Sequence, residues 1–176
     1  MKKIASTATF NTRLMVANGV IMSKLVYLIT VWGGAQGYLV KRLQVQQLAA
    51  ARVVCGYHSY YWSRRKLLGK VRWLSVRQLI FFHTVLQVWK VRTLQTPAYL
   101  HHKFVLTNTR SSAQGNLLVP NVESALARKS FMVRATTSWN MIPPDMKNIQ
   151  KLSKFKQELK KWTKANIELE QYDSGQ

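Results

Sequence analysis

The sequence predicts an all-α fold: a single basic helical domain of about five or six helices, with one long irregular loop near residues 105–122. Three observations predict it. Apolar residues recur three or four positions apart along most of the chain, which is the period of a helix with one buried face. No segment alternates apolar and polar residues as a half-buried strand would. Glycines, prolines and capping residues fall where the apolar stripes stop.

The elements follow in order. Phe10, Leu14, Ala17, Ile21, Leu25, Leu28 and Trp32 form one continuous stripe, predicting a helix from about Asn11 to Val31 that Gly33 and Gly34 end. Its apolar run "LVYLITVWGGA" reads as the end of a core helix, because it is about half the ~20 residues a membrane-spanning helix needs. "YLVKRLQVQQLAAARVV" is rich in good helix formers and stops at Gly56, so the two predicted helices resemble a hairpin. The stretch "GYHSYYWSRRKLLGKVRW" reads as a loop. Ser75 and Gln78 then form an S-x-x-Q capping box at the head of "VRQLIFFHTVLQVWKVRTL", which is apolar nearly all round and is predicted to be the central helix. Pro97 marks its end, and "NTRSSAQGNLLVPN" has the composition of an irregular loop.

The string "SFMVRATTSWNMIPPDM" predicts a short amphipathic helix with Phe131, Ala135, Trp139 and Ile142 on one face. Pro143 and Pro144 impose a stop near Ile142 and a restart. In the last helix Leu152, Phe155, Leu159 and Trp162 share one face, and Lys156, Lys160, Lys161 and Lys164 cover the other. Trp139 is expected to be buried against that helix near Phe155. The domain is taken as residues 1–167, and the polar, acidic residues 168–176 as a flexible tail.

Composition bounds the function. At 47% apolar and 176 residues the chain can bury a real core, with six tryptophans as large anchors. Its 27 Lys and Arg stand against 6 Asp and Glu, a net charge of +21, and no acidic residue precedes Glu123. Such a balance repels itself unless a polyanion relieves it, and nucleic acid is the usual polyanion. The single cysteine, Cys55, excludes an internal disulfide framework, suits a reducing compartment and reads as a small buried hydrophobe. The opening "MKKIASTATFNTR" is basic, but Ser, Thr and Asn interrupt it before a signal-peptide core forms. The expected location is therefore intracellular, nuclear or cytoplasmic, and not secreted.

Catalytic chemistry finds little footing. Two-metal polymerases and nucleases need converging carboxylates, whereas this chain has two aspartates, Asp145 and Asp173, and no paired-carboxylate motif. His58, His83, His101, His102 and Cys55 lack a second paired element for a structural zinc site, so they read as satisfied or exposed side chains. No nucleophile elbow and no phosphate loop is present. No enzyme activity, cofactor or metal is expected.

The basic clusters say more. Arg64, Arg65, Lys66, Lys70 and Arg72 lie within nine residues, beside Tyr60, Tyr61, Trp62 and Trp73. That mixture can grip phosphates while aromatics stack on bases, or the aromatics can be core neighbours of a solvated face. The lysines of the last helix, Lys156, Lys160 and Lys164, form a second candidate surface, with a plain solvent face as the alternative.

The ordered set "SKLVYLITVWGG", "LVKRLQVQQLAAARVVCG", "WLSVRQLIFFHTVLQVWKV", "TPAYL", "TR", "SFMVRATTSWNMIPPDM" and "LSKFKQELKKW" resembles the region that follows the palm in non-LTR, LINE-type retrotransposon reverse transcriptases. The resemblance covers about residues 1–167. Its most specific part is the close: Ser130 and Phe131 after a basic residue, Trp139 with Asn140, Pro143 with Pro144, then Leu152, Phe155 and Lys156. It implies a helical thumb and C-terminal extension beside a template–primer duplex, hence contact with RNA or an RNA/DNA duplex. It also implies a palm domain as a partner and an origin within a longer polyprotein. The family's (Y/F)-A-D-D box, its preceding palm aspartate and its cysteine–histidine knuckle have no counterpart here. The expected function is a non-catalytic nucleic-acid-binding helical module, thumb-like. The alternatives are a structural or protein-interaction module, or a non-functional retroelement fragment. No membrane partner is expected.

Overall fold

The computed structural model describes residues 8–56, 59, 61–94, 96–107 and 114–167. Among them all regular structure is helical, apart from one antiparallel bridge between Leu106 and Leu117. The chain is all-α. The elements are α1 (Phe10–Ala17), a π-helical segment (Asn18–Met22), α2 (Ser23–Val26), α3 (Ile29–Trp32), α4 (Gly37–Cys55) and α5 (Arg64–Val71). They continue with α6 (Val76–Leu94), α7 (Ala98–His101), α8 (Ala125–Arg128), α9 (Phe131–Met141), α10 (Pro144–Lys147) and α11 (Leu152–Asn166). Six of the described helices, α1, α4, α5, α6, α9 and α11, have eight residues or more. The predicted tail at 168–176 lies outside the described residues. Among the described residues no helix is long and apolar enough to cross a membrane.

Two compact units divide the chain. One comprises Gln36–Leu79 with the residues up to Leu28; the other comprises Ile29–Ala35 and Ile80–Ile167.

The first unit packs α1 and α4 side by side, with Ala17, Leu48, Ala51 and Val54 in its core and Phe10, Leu14 and Ile21 against it. The predicted continuous helix from Asn11 to Val31 is broken. Asn18–Met22 is wound as a π-helix, and Asn18 turns its side-chain oxygen to the indole N–H of Trp73 at 2.8 Å. After α2 the chain leaves the helix at Tyr27 and Leu28, where Leu28 has φ +48°, a left-handed conformation that no apolar stripe forecasts. The reading as a core-helix end therefore holds for Leu25 and Ile29, which are buried, and fails for Tyr27, Leu28 and Val31, which are exposed.

The stretch read as a loop after Gly56 contains a second correction. Residues 64–71 form α5, whose N-cap Ser63 accepts from the Lys66 N–H at 3.4 Å and whose Leu67, Leu68 and Val71 are buried. Downstream, the capping box is reciprocal as expected: Ser75 N–H donates to Gln78 Oε1 at 3.0 Å, and Gln78 N–H to Ser75 Oγ at 3.3 Å. Two buried glutamines of α4 complete the junction. Gln47 donates to Leu74 O at 2.8 Å, and Gln44 Oε1 accepts from Val76 N–H at 2.9 Å, so a free N–H at the head of α6 is satisfied from another helix.

In the second unit α6 supplies Phe81, Val85, Leu86, Val88, Trp89 and Val91 to a core shared with α9 and α11. Phe155 and Leu159 of α11 are fully buried, with Trp139 of α9 beside them. Helix α9 ends at Met141, Ile142 is extended at ψ 149°, and Pro144 opens α10 at its first turn, which is the predicted stop and restart. Gly33 is dictated by space: a Cβ there would sit 2.6 Å from Ile29 O and 2.9 Å from Arg134 Nη1. Arg134 uses that gap to donate to Thr30 O at 2.8 Å and to Lys129 O at 3.0 Å.

Candidate nucleic-acid interface

Helix α5 orders the first basic cluster. The buried positions Leu67, Leu68 and Val71 fix which way it turns, leaving Arg65, Lys66 and Lys70 exposed and Arg64 half-buried. Arg72 follows as the C-cap at φ +58°, also exposed, so its left-handed turn carries the cationic face past the helix end. Within this face lies Gly69, where an added Cβ would meet nothing within 4 Å. The backbone is bare there, in the middle of a ring of cations, where a ligand can approach closely.

The aromatics beside the cluster are engaged with the protein. Trp73 is buried and its indole N–H is taken by Asn18. Trp62 is half-buried and carries the Lys66 ammonium 4.7 Å from its ring centre, while Lys70 stands 5.8 Å from the ring centre of Phe10. Tyr61 is exposed, and Tyr60 lies outside the described residues. Of the two readings open in the sequence, core neighbours of a charged face describes Trp73 and Trp62.

Sequence inspection missed Arg13. Its guanidinium lies against the end of α4, 3.8 Å from where a Cβ on Gly56 would stand, and together with Lys70 it brings positive charge to Cys55. Burial raises the Cys55 thiol above its ordinary pKa, and Lys70 and Arg13 oppose that rise. Arg13 belongs to α1 and Lys70 to α5, and only the packing of both on α4 relates them; no spacing in the sequence could have done so. The described part of this unit contains no Asp or Glu.

The second cluster belongs to the other unit. Lys156, Lys160 and Lys164 are exposed on α11, opposite buried Phe155, Leu159 and Thr163. Lys161 on that helix pairs with Glu158 at 2.9 Å, and with one partner largely exposed the pair adds little stability. His83 is half-buried, and burial first, then Lys90 and Lys156, lower its pKa below the ordinary value. His101 and His102 meet edge to face at 5.7 Å, and His58 lies outside the described residues. Among the described residues no three His, Cys, Asp or Glu come together where they could hold a metal ion.

Comparison of the chain with protein-family models, curated proteins and solved structures finds no significant match in any of the three.

Proposed function

We propose that this chain is a non-catalytic helical module that holds RNA or an RNA/DNA duplex by its backbone, a thumb-like piece of the kind that follows the palm of a non-LTR retrotransposon reverse transcriptase. One observation carries the reading: Arg65, Lys66, Lys70 and Arg72 crowd one exposed face around a bare Gly69, in a unit whose described residues include no carboxylate. Phosphates are the counter-charge such a face suits, and their contacts are indifferent to base sequence. The engaged state of Trp62 and Trp73 favours backbone contact over base stacking. No catalytic step is assigned, because the polymerase carboxylate motifs have no counterpart in the sequence. The location in this reading is the nucleus or cytoplasm, where its ligand is found.

Titrating the chain with RNA/DNA hybrids of unrelated sequence over a range of salt tests the proposal. Affinity should be nearly equal for all of them and should fall steeply and linearly in log–log form as salt rises. A second reading, a protein-interaction module, draws on Met15, Tyr27 and Tyr38, which are exposed apolar side chains of the same unit. Salt-insensitive or absent binding to every hybrid would leave that reading in place of the first.

A further inference from the structure

Outside α5 the second unit holds two cations that the proposed interface does not use. Arg92 of α6 and Lys147 of α10 flank the same turn. A Cβ on Gly115 would stand 3.5 Å from Lys147 Cδ and 3.9 Å from Arg92 Nη1. Arg92 Nη1 donates to Gly115 O at 3.2 Å, and Lys147 Nζ to Asn116 Oδ1 at 2.5 Å. The Arg92 guanidinium also lies 5.3 Å from the ring centre of Trp139, whose N–H donates to Gly115 O at 2.9 Å.

Neither cation has a carboxylate within ion-pair reach among the described residues. Asp145 is exposed and two positions from Lys147, which places it on the other side of a helical turn. Burial disfavours both charged forms, and the charge of Arg92 adds to the burden on Lys147. Lys147 can relieve the strain by losing a proton, whereas an arginine cannot. Two like charges, half-buried and close, destabilise the fold unless an anion joins them. Of the five guanidinium N–H donors, the turn occupies one, so Arg92 keeps a fork for an oxyanion while Lys147 offers a point charge.

We propose that Arg92 and Lys147 form an anion site at the Gly115–Asn116 turn that takes a phosphate group. It shares no residue with the α5 interface and does not depend on that reading. The phosphate can come from a nucleic-acid backbone or from a small free phosphate, and two arms of one experiment tell these apart.

In the first arm the full chain is melted in inorganic phosphate and in chloride at matched ionic strength. Phosphate should raise Tm above the chloride value, and in Lys147→Met that excess should shrink to the general salting-out part while Tm in chloride does not fall, because the variant loses both the bound anion and the repulsion from Arg92. No excess in the wild type, or an equal excess in Lys147→Met, overturns the site. Arg92→Gln, which spares Lys147, repeats the comparison if Lys147→Met does not fold. In the second arm an RNA/DNA hybrid is added while the Trp139 indole N–H resonance, assigned by its absence in Trp139→Phe, is followed. A shift that inorganic phosphate reproduces and Lys147→Met abolishes supports a backbone phosphate. A shift with inorganic phosphate alone supports a small phosphate as the ligand, and no shift with either overturns the proposal.

Discussion

Trp139 and Phe155 meet with ring centres 6.4 Å apart and planes tilted by 34°, joining α9 to α11 in the middle of the second core. Both rings are buried, and Phe155 also stacks on Trp89 at 5.4 Å. Trp139→Ala should therefore cost roughly 3–5 kcal/mol in urea unfolding, since the cavity cannot collapse onto three helices at once. Trp139→Phe keeps a ring but withdraws the donor from Gly115 O, and it should cost clearly less than the alanine variant. A loss below about 1 kcal/mol for Trp139→Ala would contradict the buried packing.

Replacing Arg64, Arg65 and Lys66 together by Ala should weaken binding to an RNA/DNA hybrid almost equally for all sequences. The slope of log affinity against log salt should fall by about 2 to 3, from roughly 0.9 for each lost phosphate contact. The same replacement at Lys156, Lys160 and Lys164 is the comparison, because that face of α11 is also what a solvent face looks like. An unchanged slope in the first variant, with helicity retained by circular dichroism, removes α5 from the interface.

Gly69→Ala separates stability from binding. The added methyl meets nothing in the protein and removes a helix-breaking residue, so stability should rise by about 0.5–1 kcal/mol. If the duplex backbone approaches this bare turn, the same methyl should weaken hybrid binding even though no charge has changed. Equal affinity in the more stable variant would place the phosphate contacts away from Gly69.

His83 gives a pH dependence. Its pKa is lowered in the fold, so the unfolded chain takes the proton more readily. The stability it contributes is whole above the ordinary imidazole value of about 6.5 and is lost as pH falls through that value toward the lowered one. Urea midpoints should therefore fall on acidification across that window, and His83→Gln should flatten the fall. A variant as acid-sensitive as the wild type would assign the effect to other groups.

Thr163 Oγ1 is buried with no hydrogen-bond partner among the described residues. Thr163→Val replaces that hydroxyl with a methyl of similar size and should raise stability by about 1 kcal/mol, read from the shift in urea midpoint. A destabilised variant would mean that the hydroxyl is satisfied in solution.

Much of this fold could be read from local rules. The Ser75–Gln78 box, the Gly56 stop and the break at Pro143 each depend on a few neighbouring residues, and each is present in the structure. What escaped depends on distant ones. Helix α5 was hidden because four cations and Gly69 dilute its short stripe of Leu67, Leu68 and Val71. The turn at Leu28 follows from no propensity of leucine. Gln44 and Gln47 look like ordinary helix formers, yet they are core residues whose amides finish the junction before α6. Arg92, Arg134 and Lys147 carry no mark in the sequence that separates them from the solvated cations, since their half-burial comes from what the chain places over them. The candidate site was legible as a density of charge, and its face only once α5 was seen.

The absence of acidic side chains from the described part of the first unit has a consequence for regulation. A cationic face with no carboxylate beside it among the described residues can be loosened by salt or by covalent modification. Lysine acetylation would neutralise Lys66 and Lys70 while leaving Arg64, Arg65 and Arg72 charged, so the surface can be turned down by that route but not turned off.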